Sequence, residues 1–475
     1  MPYYKDLREY LNKLDSIGRL HRVDKEVDKD WEVAAVARRV FQKIPESKRQ
    51  ALLFNRVKGF DIPIVGGILG GCKDIYAAAL DATVEEIPLK WERALAHPIR
   101  PEVVNTGPCK ENVHRGKDVD LMMLPVPVWT VGEDPGPFLT APCVCPRDRD
   151  TGIMNIGTYR MEIKGKNKTG LRGSPYQHVN RHITQYEERN DPTPVAVVLG
   201  CDPSIPLVSI SRIPYAMDNY EVAGGIRGEP LELVKCEIHD LYVPANAEIV
   251  IEGWIPPKVR EREGPFGEFT GYMGAAGNAN IIEVECITFR NHPILHTFFS
   301  QDPPSESSLI RGVGVESGIE KALKQNGIRV RDVHVKESGG SNAYLIISIK
   351  KEYEGQVWQA IWAAWSAVPD AGKITVVVDD DIDVRDSFSV DWALSFRVQP
   401  QKDVILVPDT PAMALDPSLA PRDVPQHERR KLRSSKLAID ATKKHDYPPP
   451  ALPPLEHLKR VDEHWADYGF PELRG

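Results

Sequence analysis

The sequence predicts a mixed α+β and α/β protein of several domains. An N-terminal α/β domain spans 1–114, a mostly β, barrel-like domain 115–305, a C-terminal α/β domain 306–445, and a Pro-rich tail ending in a helix 446–475. Three observations carry this division. A chain of 475 residues corresponds to about three domains at roughly 150 residues each. The Pro-rich passage Leu124-Pro-Val-Pro-Val-Trp129, followed by Glu133-Asp-Pro-Gly-Pro137, marks a change of pattern. Beyond it, runs rich in Val, Ile and Thr alternate with Gly, Pro and Asn turns until Gln301-Asp-Pro-Pro304, where helix and strand again take turns.

In the first domain, residues 5–20 read as an amphipathic helix with Leu7, Leu11 and Leu14 on one face, and 31–43 as a second helix. Strands follow at 51–54 and 62–65, and helices over 75–96. The cluster Gly66-Gly-Ile-Leu-Gly-Gly71 lacks the Lys-Ser/Thr pair of a phosphate loop and reads as a structural turn. The second domain offers strands at 141–145, 153–163, 195–199, 231–238, 248–254 and 280–290, with helical pieces at 176–188 and 219–225. In the third, 307–324 and 356–368 read as helices, and 333–335, 344–349 and 375–378 as strands. Trp358, Trp362 and Trp365 form a core or interface stripe at helical spacing. Asp379-Asp-Asp-Ile-Asp383 lacks the glycine and terminal glutamate of a calcium loop and reads as an acidic strand end. The tail turns helical over 455–465, the kind of terminal helix that often docks on a partner protomer.

Composition narrows the functional classes. A net charge of −8 without a long basic run argues against nucleic acid as a main partner. No stretch of 18 apolar residues predicts a membrane span. The polar start Met-Pro-Tyr-Tyr-Lys-Asp lacks a signal-peptide core, so the expected location is the cytoplasm. The seven cysteines are expected to be reduced and mostly buried, with Cys143 and Cys145 sharing one strand face, and no zinc site is expected.

Chemistry concentrates in a few places. Glu263-Gly-Pro-Phe-Gly-Glu268 bends two carboxylates around a turn, read here as a loop, and can aim both into one cavity. Paired carboxylates repel, so one of them can keep the proton a general acid needs. An isolated Glu-x4-Glu is more often a surface turn. In Met154-Asn-Ile-Gly-Thr-Tyr-Arg160, strand alternation places Asn155, Gly157 and Tyr159 on one face and Thr158 and Arg160 on the other. Arg160 in an apolar strand calls for an anionic partner, at a site or in a surface salt bridge. Gln177 and His178 open a helix, and His178 and His182 stand one turn apart, as a metal pair or as hydrogen-bonded structural histidines. Glu221 follows Ser211-Arg-Ile-Pro214 and reads as a metal ligand or a plain helix-face glutamate. An Asn oxygen, a His nitrogen and a Glu oxygen together suit Mn2+ or Mg2+ with room for a phosphate.

These motifs, in this order, resemble the UbiD decarboxylases, which use prenylated FMN. The resemblance runs from Leu124–Pro137 through Asn155–Arg160, Gln177-His178, Ser211–Glu221 and Glu263–Glu268 to Asp379–Trp392 and Ile439-Asp-Ala-Thr442. It implies a central split β-barrel flavin-binding domain flanked by the two α/β domains, in a homodimer or homohexamer. It implies Asn155, His178 and Glu221 as ligands of a divalent metal, usually Mn2+, that grips the cofactor phosphate. A K+ site would use main-chain oxygens near Ser211 and Ile213 together with Glu221. Arg160, Glu263 and Glu268 match a Glu-Arg-Glu catalytic network, and Gln177 lines the cofactor side, with Gly157 and Thr158 in the same cofactor-binding stretch. Phe388 stands where some members carry a phosphate-binding lysine, which leaves Arg385, or Lys168 and Arg172, as substitutes. The implied activity is reversible, non-oxidative decarboxylation of an aromatic, heteroaromatic or α,β-unsaturated acid with release of CO2. A flavin prenyltransferase would supply the cofactor. Alternatives are a flavin-binding oxidoreductase, against which the missing G-x-G-x-x-G speaks, and a non-catalytic subunit of a carboxylase complex.

Overall fold

The computed structural model describes residues 2–174, 177–300, 302–449 and 451–469. Tyr176, where a helix was expected to begin, Gln301 in the expected boundary, and Pro450 and 470–475 of the tail lie outside the described residues. The central feature is a ten-stranded sheet curled into a half-barrel. Its path runs Phe138–Leu139, Met161–Gly165, Lys168–Leu171, Gly277–Phe289, Ile249–Ile255, Thr193–Leu199, Cys143–Cys145 and Gly157–Thr158, with Arg260–Glu263 and Asn112–Arg115 also paired to Gly277–Phe289. The last of these strands straddles residue 114, so the domain boundary expected there cuts through an element of the central sheet.

Alternation along the strands serves two cores. Val195, Val197 and Leu199 enter one apolar cluster while Ala196 and Val198 enter the other, and nearly every residue of Thr193–Leu199 is buried. Cys143 and Cys145 share one of these faces and Val144 takes the other. All seven cysteines are free and buried.

The N-terminal helix is shorter than expected, Leu7–Ser16, and the chain turns at once into strand Leu20–Val23. Leu7, Leu11 and Leu14 are buried, and Asp6 caps the helix by accepting from Glu9 N at 2.9 Å. A four-stranded sheet joins Leu20–Val23, Ala51–Phe54, Ile64–Gly66 and, from far along the chain, Leu295–His296. The expected helix over 75–96 is two, Lys73–Ala79 and Ile87–Ala96, broken where Asp81 takes a positive φ. The glycine cluster is a cradle for an internal anion. Backbone N–H groups of Gly67, Leu69 and Gly70 donate to the fully buried Glu306 carboxylate at 2.8, 3.0 and 3.2 Å, and Phe299 N adds a fourth bond at 3.1 Å.

Glu306 opens the long helix Glu306–Gln325, which leads into a five-stranded sheet ordered Val330–Val335, Tyr344–Ile349, Ile374–Asp379, Arg433–Ala441 and Val404–Pro411. Of the tryptophan stripe, Trp365 is buried and donates to Thr375 Oγ1 at 2.9 Å, whereas Trp362 is exposed. Arg397 neutralises the acidic strand end, bonding Asp379 and Asp381 at 2.8 Å each. Helix Leu455–Glu463 has no buried residue, and Leu452, Leu455 and Leu458 stand exposed.

Candidate active site

Two breaks in strand pairing shape the site. The strand expected over 153–163 is interrupted: Gly157–Thr158 pairs with Cys143–Cys145, Met161–Gly165 pairs with other strands, and Tyr159 and Arg160 lie between. The Glu263–Glu268 segment is likewise not simply a loop. Glu263 closes strand Arg260–Glu263, opposite Gly277, and Phe266–Gly267 pairs with Met273–Gly274 in a small ladder that ends just before Glu268. Between them Gly264 has φ 75°, and a Cβ there would sit 3.3 Å from Arg160 Nη2. The turn and the close approach both require glycine.

Into this gap Arg160 extends between the two glutamates. Its Nε and Nη2 donate to Glu263 Oε1 and Oε2 at 2.9 and 3.0 Å, a bidentate fork, and its Nη1 donates to Glu268 Oε1 at 2.7 Å. Burial works against the guanidinium charge, but Glu268 and Glu263 outweigh it and raise its pKa. The two carboxylates are not equivalent. Glu263 is fully buried and takes a second arginine, Arg172 Nη1, at 3.1 Å. The Glu268 side chain is 22 % exposed and has Arg160 as its one ion-pair partner among the described residues. It borders a cleft of about 470 Å³ whose walls include Trp129, Tyr272, Arg38 of helix Glu32–Lys43 and Trp31, the cap of that helix.

Sequence reading offered Arg172 only as a phosphate contact; its role beside Glu263 was missed. Strand pairing would have pointed to it, because Lys168–Leu171 and Arg260–Glu263 both pair with Gly277–Phe289. The other two substitutes for the lysine are also engaged in ion pairs. Lys168 bonds Glu261 at 2.8 Å, and Arg385 bonds Asp332 at 2.9 Å and Glu316 at 3.1 Å. Phe388 is 78 % exposed.

The expected metal ligands are partly assembled. Asn155 Nδ2 lies 3.2 Å from His178 Nδ1, and Asn155 Oδ1 is buried without a hydrogen-bond partner. Burial, then Arg181, lowers the His178 pKa, which keeps the ring neutral and able to ligate. Glu221 contacts neither in this arrangement; its Oε1 is 3.5 Å from Nε of the highly exposed Arg100, a weak pair that leaves the carboxylate available. An orphaned amide oxygen beside a neutral imidazole, with a carboxylate on the adjoining helix Asn219–Arg227, fits a Mn2+ or Mg2+ ion. His182 does not join them. Its ring stacks on Tyr215, 5.4 Å between centroids, and burial pushes its pKa down to about 4.

The remaining expected residues are placed as follows. Gly157 packs so tightly on Tyr159 that a Cβ would lie 2.3 Å from its hydroxyl. Thr158 Oγ1 is 2.7 Å from Ser209 Oγ. Gln177 is exposed and accepts from Ser174 N at 2.5 Å. Ser211 O accepts from Ile213 N at 3.1 Å, and Ile213 is buried.

Comparison with known proteins matches the chain almost end to end. The 3-octaprenyl-4-hydroxybenzoate carboxy-lyase N-terminal domain matches 11–95, the Rift-related domain of the same enzyme 102–303, and its C-terminal domain 308–441. The chain belongs to the UbiD family. Among solved UbiD-class structures, HmfF from Pelotomaculum thermopropionicum in complex with FMN is 35 % identical, aligned over 96 % of this chain and 99 % of that one, with a TM-score of 0.84. The open form of vanillic acid decarboxylase from Sedimentibacter hydroxybenzoicus is 29 % identical over 98 % and 99 % of the two chains, TM-score 0.83. The apo 3,4-dihydroxybenzoic acid decarboxylase from Enterobacter cloacae is 26 % identical over 97 % and 100 %, TM-score 0.82. The UbiD likeness therefore covers the whole architecture rather than the half-barrel alone.

Proposed function

We propose that this protein is a UbiD-class carboxy-lyase that removes CO2, reversibly and without oxidation, from an aromatic or heteroaromatic carboxylic acid, using prenylated FMN. Its relatives support the reaction class: they include decarboxylases of vanillic and 3,4-dihydroxybenzoic acid, and HmfF solved with FMN and, in an evolved dimeric form, with prFMN. The observation that carries the reading is Arg160 held between a fully buried Glu263 and a cleft-facing Glu268.

Bound prenylated flavin supplies the electron sink that an sp2 carbon lacks when its carboxylate leaves. The chain's own residues do the rest. Glu263, clamped by Arg160 and Arg172, stays an ion-paired carboxylate and fixes the Arg160 fork. Arg160 orients the substrate carboxylate. Glu268, with one hydrogen bond to Arg160 and access to the cleft, delivers the proton that replaces CO2. Phe269, next in the chain, would touch the substrate ring. Asn155, His178 and Glu221 would hold Mn2+ or Mg2+ against the cofactor phosphate, and the Ser211 and Ile213 main chain a K+ ion. Gly157, Thr158 and Gln177 would border the cofactor. A flavin prenyltransferase would supply the cofactor, and assembly would be a homodimer or homohexamer in the cytoplasm. Among the described residues no helix is long and apolar enough to cross a membrane.

The test is the protein co-produced with a flavin prenyltransferase and offered a panel of aromatic and α,β-unsaturated acids, with CO2 release measured. Glu268→Gln is expected to abolish turnover while flavin absorbance and metal content stay at wild-type level. Near-wild-type decarboxylation by that variant would sink the assignment.

A further inference from the structure

The cleft beside Glu268 reaches that carboxylate and no other residue assigned to the site. It is walled by Ala35 and Arg38 of helix Glu32–Lys43, by Trp129 and Val131, and by Tyr272 and Asp302. Val131 and Tyr272 are 64 % and 63 % exposed, so it opens to solvent. Among the described residues, none of those assigned to metal or cofactor lines it, and neither does Arg160 or Phe269.

Glu268 stands at the boundary. Arg160 Nη1 holds its Oε1 at 2.7 Å, and no hydrogen bond among the described residues holds its Oε2. The turn behind it is fixed: Glu268 N donates to Tyr272 O at 3.0 Å and Gly271 N to Glu268 O at 2.9 Å. A Cβ on Gly271 would meet Asp302 Oδ1 at 2.6 Å, and Asp302 pairs with Arg38 across the wall. Two charged groups in the wall favour water in the space. Its volume of about 470 Å³ is many times the share of one water in the liquid, about 30 Å³, so it has room for a chain of waters.

Decarboxylation uses up one proton per CO2: a carboxylate and a proton become CO2 and a C–H bond. The carbon–carbon bond breaks, CO2 leaves, and the Glu268 proton goes to the ring carbon. Glu268 is then a carboxylate and needs a proton from solvent before it can act again. Phe269, assigned to the substrate ring, is not in the cleft wall, so substrate and solvent meet Glu268 from different sides.

We propose that this cleft is the proton inlet of the enzyme: its water, in equilibrium with hydronium or buffer acid outside, returns a proton to Glu268 once per turnover. This rests on the decarboxylase reading above. The substrate does not pass through the cleft.

The inlet is narrowed with Ala35→Trp, alone and together with Val131→Trp. Both residues line the cleft and are exposed, so Tm should stay at the wild-type value. Gln42→Trp, exposed on the same helix and outside the cleft wall, is the control. Holoenzyme is mixed with the acid of the panel above that is turned over fastest, and CO2 is followed through the first turnover and into the steady state, in H2O and in D2O. The variants are expected to release the first CO2 per site at the wild-type rate, because CO2 departs before the proton is needed. Later turnovers should slow, at least tenfold in the double variant. kcat/KM and flavin absorbance should be unchanged, as for a step after CO2 release, and the solvent isotope effect on kcat should grow. Gln42→Trp should behave as wild type. A double variant whose steady-state kcat lies within twofold of wild type would overturn the proposal. So would a slowed first turnover or a fall in kcat/KM, either of which would give the cleft to the substrate. No CO2 from any acid, in the wild type, would instead overturn the decarboxylase reading and with it the need for an inlet.

Discussion

Gly274→Ala isolates the position of Glu268 from its presence. Gly274 faces Phe266 in the small ladder, and a Cβ built on it would lie 2.7 Å from Glu268 Oε1, 2.9 Å from its Cγ and 3.2 Å from its Cδ. Ordinary contact begins near 3.4 Å, so the carboxylate must retreat by about 0.7 Å. Glu268 Oε1 now accepts from Arg160 Nη1 at 2.7 Å, and a retreat of that size takes the bond to the edge of hydrogen-bonding range. The backbone need not change, because Gly274 does not use a positive φ. Only the end of a flexible side chain moves, so the stability cost stays below about 1 kcal/mol. Misplacing a reacting group by about 1 Å costs roughly 100-fold in rate. The expected result is a kcat reduced about 10- to 100-fold with flavin absorbance, metal content and Tm at wild-type level. Gly314→Ala, on a helix and with nothing within 4 Å, is the control and should leave kcat unchanged. A Gly274→Ala enzyme within twofold of wild type would refute the positional role given to Glu268.

Other expectations concern the supports of the site. Glu306→Gln places an amide NH2 against two of the four backbone donors in the glycine cradle, at about 1–3 kcal/mol each. At about 2.1 cal/mol/K per residue over 475 residues, the melting temperature should fall by about 2–6 °C, and amide exchange at 67, 69, 70 and 299 should quicken. An unchanged Tm would remove the cradle from the account of stability. Burial alone would raise the Glu316 carboxyl, but His334, Lys73 and Arg385 hold it down at about 2. Its folded value lies below the ordinary 4.5, so its stabilisation is present above about pH 4.5 and lost as pH falls through about 2, up to roughly 3 kcal/mol. Glu316→Gln should therefore lower Tm at pH 7 and flatten the acid limb of a Tm–pH curve; a parallel curve would refute this. His178→Ala should yield protein lacking metal and poorly loaded with flavin, read by metal analysis and absorbance.

Local signals in the sequence located most strands and helices and the residues of the Glu-Arg-Glu cluster. Thr193–Leu199 was legible because a run of β-branched residues buried on both faces needs no partner to be read. Short pieces such as Phe266–Gly267 and Met273–Gly274 were not, since two residues carry no periodicity and exist only through pairing. Helix Ser204–Ile210 was missed because Pro206 sits inside it and its apolar residues show no amphipathic stripe; it is almost wholly buried. The glycine cluster read correctly as structural, yet its ligand, Glu306, stands 239 residues from Gly67, beyond any local pattern.

Charge compensation explains how the two glutamates of the Glu-x4-Glu segment, alike in their local sequence, come to differ in the fold. Glu263 gains Arg160 from 103 positions away and Arg172 from 91, and the second contact follows from what borders one strand, Gly277–Phe289. On one side of it runs Lys168–Leu171, with Arg172 next in the chain; on the other runs Arg260–Glu263. The strand begins at a glycine, Gly277, where a Cβ would come within 3.2 Å of the Arg172 guanidinium. Two guanidinium groups meet the one buried carboxylate and hydrogen-bond both of its oxygens. Glu268 lies beyond the turn, past the end of that pairing, with a single shared arginine and an open face. A buried carboxylate held by two arginines and a partly exposed one held by a single arginine therefore arise from one glutamate ending a paired strand and the other lying five residues past it.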